Sequence, residues 1–156
     1  MKNFFDKILQ RSNNLDYISN KIKNLTQETP SQKIFEVINS YSLDSEIRYV
    51  GGCIRKIINE EKVDDIDLAT NLEPSQVCDA LKKHNINYYE SGIEHGTISA
   101  VVDEYKFEIT SLREDVLTDG RHAKVKFSKN WKMTLSEETL LLIRYILTKM
   151  GTYLIL

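Results

Sequence analysis

Cysteine is scarce in this sequence of 156 residues: only Cys53 and Cys78 occur, without a CxxC motif or Cys/His ligand spacing. This argues against a disulfide scaffold and a structural zinc site, and fits a reducing compartment. A charge excess is also lacking, because 21 basic and 23 acidic residues leave a net charge of −2. Any binding of a polyanion must therefore come from a local arrangement of side chains rather than from a bulk field.

The first residues lack the long apolar stretch and the small-residue cleavage site of a signal peptide. We therefore expect a cytoplasmic location and no membrane partner. The apolar run over 140–156 is too short, and carries Arg144 and Lys149, to be a membrane span. The length and a hydrophobic content of 41% fit about one globular domain.

The hydrophobic pattern predicts a mixed α/β (α+β) fold, because helical and strand periodicities alternate along the chain. Its most regular feature is a pair of β-prone runs joined by Asp103-Glu104, which predicts a hairpin. The predicted elements are helices in 1–46, a strand at 47–50, a helix after 51–52, a strand within 63–70, a helix at 75–84, strands at 97–102 and 105–110, a loop at 112–124 and a strand at 125–127.

Gly51 and Gly52 stand between a predicted strand and a predicted helix. Glycine lets the backbone approach a ligand closely, and the free N–H groups at a helix start favour anions, so this geometry suits a phosphate. Arg55, one turn into the helix, is placed to reach the same anion. A tight turn without a ligand explains the two glycines equally well.

Three acidic residues stand out on predicted strands. Asp65 and Asp67 alternate with Ile66, so their side chains lie on one side of a strand. Two neighbouring carboxylates repel each other unless a cation lies between them, and such hard oxygen ligands suit Mg²⁺. Glu108, on a later strand, would complete a two-metal phosphoryl-transfer site. The alternatives are a solvated strand end for the two aspartates and an exposed strand face for Glu108. Asp64 is a further acid beside them, which weakens the assignment of any single pair of aspartates.

Five linked segments then occur in an order and spacing that resemble a known family. They are 49–55, 65–70, 95–97, 107–113 and 119–123. Together they resemble the head domain of class II tRNA nucleotidyltransferases (CCA-adding enzymes) and bacterial poly(A) polymerases, within the DNA polymerase β-like superfamily. The resemblance covers 47–133 and implies a head domain with a mixed or antiparallel sheet and flanking helices.

The resemblance also implies an activity and a site. The activity is template-independent addition of AMP or CMP, from ATP or CTP, to an RNA 3′ end such as that of tRNA, with CCA addition and poly(A) addition left open. The implied Mg²⁺ ligands and catalytic residues are Asp65, Asp67 and Glu108. The implied nucleotide-binding residues are Gly51, Gly52, Arg55, Asp119 and Arg121. One departure is Lys56, where the family usually has aspartate.

The resemblance ends at Met133, where the family continues into an RRDFTIN motif followed by neck and body domains. Read one base earlier, the codons from Met133 onward are compatible with that motif. We therefore expect a helical extension at 1–46, a head domain at 47–133 and a frameshifted tail at 134–156. The alternatives are a natural C-terminal helix, a truncated inactive remnant, or half of a split enzyme whose downstream domains lie on a separate chain.

Overall fold

The computed structural model describes residues 15–58, 61–63, 65–116 and 124–131. The helices are α1 (Leu15–Glu28), α2 (Ser31–Asn39), α3 (Gly51–Ile58) and α4 (Pro74–Lys83), with a 3₁₀ turn at Ile93–His95. The strands are β1 (Ile47–Tyr49), β2 (Ile66–Thr70), β3 (Asn87–Gly92), β4 (Thr97–Val102), β5 (Tyr105–Ser111), β6 (Arg113–Val116) and β7 (Lys124–Phe127). Among the helices of these ranges, none has the length and apolar character needed to cross a membrane.

Five strands form one mixed sheet in the order β1-β2-β5-β4-β3. β2 and β5 run parallel, whereas the other neighbouring strands run antiparallel. β4 and β5 form the predicted hairpin, and its turn residues Asp103 and Glu104 have φ of 49° and 69°. Positive φ at both central residues is what a two-residue type I′ turn requires. The mixed sheet with flanking helices confirms the predicted fold class.

The core lies between one face of the sheet and the helices. α2 buries Ile34, Val37 and Ile38, whose spacing of three and four residues makes one helical stripe. α4 adds Val77 and Leu81 and packs against β3 and β4, while α3 packs against β2. Because side chains alternate along a strand, the residues between the buried positions of β2 and β5 face away from this core. That opposite face carries the acidic residues.

Two strands differ from the sequence prediction, one in a separate two-stranded ribbon and one at the edge of the five-stranded sheet. The predicted loop at 112–124 is wrong in part, because Arg113–Val116 forms β6 and pairs antiparallel with β7. A two-stranded ribbon satisfies its backbone by cross-strand hydrogen bonds and does not need the apolar alternation that sequence patterns detect. β3 was not predicted at all, although it completes the sheet as an edge strand.

The helical predictions agree with the structure where it describes them. Helices at Leu15–Glu28 and Ser31–Asn39 fall inside the expected helical region, whose residues 1–14 lie outside the described ranges. α4 begins one residue before the predicted start, and the Gln76 side chain accepts a hydrogen bond of 2.9 Å from the Glu73 N–H. This bond satisfies an N–H that the start of a helix leaves free. The division at 46 and 133 stays a prediction.

Candidate functional site

The parallel pairing of β2 with β5 brings two of the predicted acidic residues together. Asp67 lies directly opposite Glu108 in the register, and Ser99 of β4 lies opposite Glu108 on its other side. Asp65 immediately precedes β2 and is two residues from Asp67, so it belongs to the same face. Its side chain is 73% exposed and that of Glu108 44%, so both carboxylates are open to a ligand from solvent.

A tight glycine turn holds the carboxylate of Asp67. Gly51 has a φ of +63°, and the Gly52 N–H donates a hydrogen bond of 2.9 Å to Asp67 Oδ2. A methyl group added at Gly52 would lie only 2.9 Å from the same oxygen, a distance that a side-chain carbon does not tolerate. The backbone therefore turns tightly at these glycines, and the turn orients Asp67. Phosphate binding at the turn stays a prediction.

Two further hydrogen bonds hold the segment around this turn in place. The Val50 N–H donates to the Asp67 carbonyl at 3.0 Å, and the Cys53 thiol donates to the Val50 carbonyl at 3.1 Å. Burial raises the pKa of the Cys53 thiol to about 11, so the thiol stays protonated at neutral pH. Cys53 is fully buried, which confirms the prediction that it is a packing residue.

Arg55 lies beside the glycine turn. A methyl group at Gly52 would be 3.8 Å from the Arg55 Nη2 atom, so the guanidinium group lies near both Gly52 and the carboxylate that Gly52 binds. Arg55 is exposed on α3. A guanidinium group in this position can form charge-assisted hydrogen bonds with a phosphate, as the sequence predicts.

Two lysines accompany the carboxylates, and sequence reasoning assigned neither of them to the site. Lys106 Nζ lies 2.7 Å from Glu108 Oε1, and Lys56 Nζ lies 3.9 Å from Asp65 Oδ2. The hydrogen bond and the charge of Glu108, with a further contribution from Asp65, raise the pKa of the Lys106 ammonium group. Alternation along β5 is the signal that places Lys106 and Glu108 on one face, and it was available in the sequence.

Other predicted site residues lie outside the part that the structure describes. These are Asp119 and Arg121, together with the acidic neighbour Asp64. Between Arg113 and Phe127, which pair in the β6–β7 ribbon, the segment 117–123 is not described. The ribbon itself is attached to the sheet, since the Phe127 ring packs against Gly96 and the Arg113 guanidinium donates to the His95 carbonyl.

Asp65, Asp67 and Glu108 are the donor set for the divalent ion that the resemblance implies. Carboxylate oxygens on one sheet face are the ligand type that Mg²⁺ prefers, and Mg²⁺ often binds through only one or two carboxylates plus substrate phosphates. Within the described ranges, no three His, Cys, Asp or Glu side chains are close enough to form a metal-binding group. The residues fit the ion in ligand type and in strand placement but are not gathered into a group of three, and Glu108 is paired with Lys106.

The fold is that of a nucleotidyltransferase head. A solved structure, the Bacillus stearothermophilus CCA-adding enzyme in complex with CTP, matches with a TM-score of 0.54 and 21% identity over 67% of this chain and 23% of that chain. Residues 47–139 match the family model described as the poly A polymerase head domain. This chain therefore belongs to the poly A polymerase head domain family, and the family predicted from its motifs is confirmed.

Named relatives point the same way. The chain is 44% identical over 88 residues to the mitochondrial CCA tRNA nucleotidyltransferase 1 of Homo sapiens. These residues make up 56% of this chain and 20% of the relative. It is 34% identical over 87 residues to the CCA-adding enzyme of Lactobacillus delbrueckii subsp. bulgaricus, covering 54% of this chain and 21% of the relative. The matched region thus spans about a fifth of the length of these relatives.

Proposed function

We propose that this head domain binds a nucleoside triphosphate and Mg²⁺ for template-independent addition of AMP or CMP to an RNA 3′ end, most directly that of tRNA. The observation that carries the proposal is the cross-strand register of Asp67 with Glu108, beside the turn in which the Gly52 N–H holds Asp67. The names of the relatives support tRNA and the CCA sequence as the substrate and product. Poly(A) addition is the alternative outcome within the same family.

Each group of the site has a distinct task in this proposal. Asp65, Asp67 and Glu108 would hold Mg²⁺, which when bound stabilises charge on the phosphates and favours deprotonation of the attacking 3′-hydroxyl. Arg55 binds phosphate oxygens by charge-assisted hydrogen bonds. The Gly51–Gly52 backbone allows the triphosphate a close approach, while its N–H bond keeps the Asp67 carboxylate in a single orientation. Asp119 and Arg121 are proposed to approach the nucleotide from the segment after β6.

The binding half of the proposal is tested by calorimetric titration of the full chain with CTP and with ATP in the presence of Mg²⁺. We expect binding that is lost without Mg²⁺ and in an Asp65→Ala/Asp67→Ala double variant. Lys33→Ala removes an exposed charge on α2 and serves as the control, which should bind as the unaltered chain does. A chain that is folded but binds neither nucleotide with Mg²⁺ contradicts the proposed function.

The catalytic half is tested by incorporation of labelled ATP and CTP into tRNA that lacks its CCA end. We propose that this chain alone adds no nucleotide, because the matched region spans only about a fifth of the length of these relatives. An inactive remnant and a head that needs a separate downstream chain both predict this result. Robust addition that disappears in the Asp65→Ala/Asp67→Ala variant overturns it. The cytoplasmic location likewise stays a prediction.

The frameshift hypothesis has its own test in the gene. Met133 is encoded by ATG and Thr134 begins with AC, so reading one base earlier gives GAC, an aspartate codon. We expect the DNA after codon 133 to encode RRDFTIN and a helical continuation in that shifted frame. Sequencing of the locus decides the matter: a shifted frame that lacks the motif or soon meets stop codons rejects the hypothesis and favours a natural segment at 134–156.

A further inference from the structure

The ion pair between Lys106 and Glu108 lies on the sheet face that carries the proposed metal ligands. Both residues are on β5, two positions apart, so their side chains are on the face that also carries Asp67. Lys106 Nζ lies 2.7 Å from Glu108 Oε1, with the two side chains 55% and 44% exposed. An oxygen of the proposed metal-binding set is therefore already bonded to a cation supplied by the protein.

Lys106 also reduces the repulsion between carboxylates of this face. Asp67 and Glu108 lie opposite each other on neighbouring strands, and like charges in that arrangement repel each other unless a positive charge reduces the repulsion. The lysine supplies such a charge without a metal. Because its stem is long and half exposed, it can also move away when a stronger cation arrives.

We propose that Lys106 is a built-in counter-ion of the carboxylate site, which holds Glu108 when no divalent ion is bound and competes with the ion for that carboxylate. This inference rests on the proposed function, since it assumes that Glu108 is a metal ligand. The consequence is that Lys106 lowers the affinity of the free site for divalent ions. Glu108 Oε1 would become available to a divalent ion only when the Lys106 ammonium group leaves it.

The experiment measures Mn²⁺ binding to the full chain by the electron paramagnetic resonance signal of free Mn²⁺. Lys106→Gln removes the charge from the carboxylates, whereas Lys33→Gln on α2 removes the same charge from an exposed helix position and corrects for the change in net charge. Because the pair is half exposed, we expect Lys106→Gln to tighten Mn²⁺ binding by about fivefold. Lys33→Gln should change it by less than about twofold, since screening weakens distant surface charges.

A third variant separates charge from shape. Lys106→Met keeps an apolar stem but removes the charge, and we expect it to tighten Mn²⁺ binding as Lys106→Gln does, whereas a role of the stem alone predicts the affinity of the unaltered chain. Circular dichroism confirms that each variant is folded. Mn²⁺ affinity that is equal in Lys106→Gln and Lys33→Gln, or weaker in Lys106→Gln, overturns the role of Lys106. Absence of Mn²⁺ binding in the unaltered chain and in every variant overturns the carboxylate metal site, and the counter-ion role with it.

Discussion

Replacing Asp67 with asparagine is expected to abolish Mg²⁺-dependent nucleotide binding while the fold survives. Asp67 accepts a hydrogen bond of 2.9 Å from the Gly52 N–H through Oδ2. The amide oxygen of asparagine has nearly the same position and can accept the same bond, so the glycine turn persists. What disappears is the negative charge between Asp65, which immediately precedes β2, and Glu108 on the neighbouring strand.

The magnitude follows from the position of Asp67 in the proposed site. Loss of a residue that only orients a metal ligand lowers metal affinity about 10- to 100-fold, so loss of a charged ligand itself should lower it by at least about 100-fold. Titration of Asp67→Asn with CTP and Mg²⁺ measures this loss. Asp103→Asn removes an equal charge from the β4–β5 turn, at a φ of 49° that asparagine adopts readily, and should bind normally.

The outcome that contradicts this assignment is a folded Asp67→Asn variant with unaltered nucleotide affinity. A variant that loses both binding and its circular dichroism spectrum would instead make Asp67 a residue of the fold. The thermal midpoint of Asp103→Asn, measured in parallel, shows how much a single aspartate charge matters for stability outside the site. The comparison therefore distinguishes a metal-binding role of Asp67 from a role in stabilising the fold.

The local part of this site was predictable from the sequence. Alternation around Ile66 placed Asp65 and Asp67 on one side of a strand. A tight turn was one of two interpretations of the glycines, which the structure places at the start of α3 with a φ of +63° at Gly51. Such features depend on residues within a few positions of each other, where backbone geometry leaves few alternatives. The assignment of Asp65, Asp67 and Glu108 as metal ligands stays a prediction.

The non-local part was not predictable in the same way. Nothing near Glu108 in the sequence specifies that it pairs with Asp67, because a parallel register forms between segments about forty residues apart through the packing of the whole sheet. The bond from the Gly52 N–H to Asp67 likewise joins residues brought together by folding. β6 escaped prediction for another reason: three of its four residues are charged, and its pairing with β7 relies on backbone hydrogen bonds.

The second large effect is expected at Gly52, where alanine should weaken divalent-ion binding without touching any carboxylate. The backbone of Gly52 is the helical one at the start of α3, so alanine meets no conformational penalty of the kind that φ +63° imposes at Gly51. The obstacle is steric: the new methyl group would lie 2.9 Å from Asp67 Oδ2. Asp67 must then rotate and give up the N–H bond that orients it.

Because the defect acts on the orientation of a ligand, we expect Mn²⁺ affinity in Gly52→Ala to fall about 10- to 100-fold. Gly92→Ala is the matched control, because its methyl group would also be crowded, at 3.3 Å from the Thr97 side chain. Gly92 lies on β3, an edge strand separated from β2 by β4 and β5. This substitution should cost some stability and leave Mn²⁺ binding unchanged. If Gly52→Ala is folded and binds Mn²⁺ as tightly as Gly92→Ala, the turn does not position Asp67 for a metal, and its glycines serve only the path of the chain.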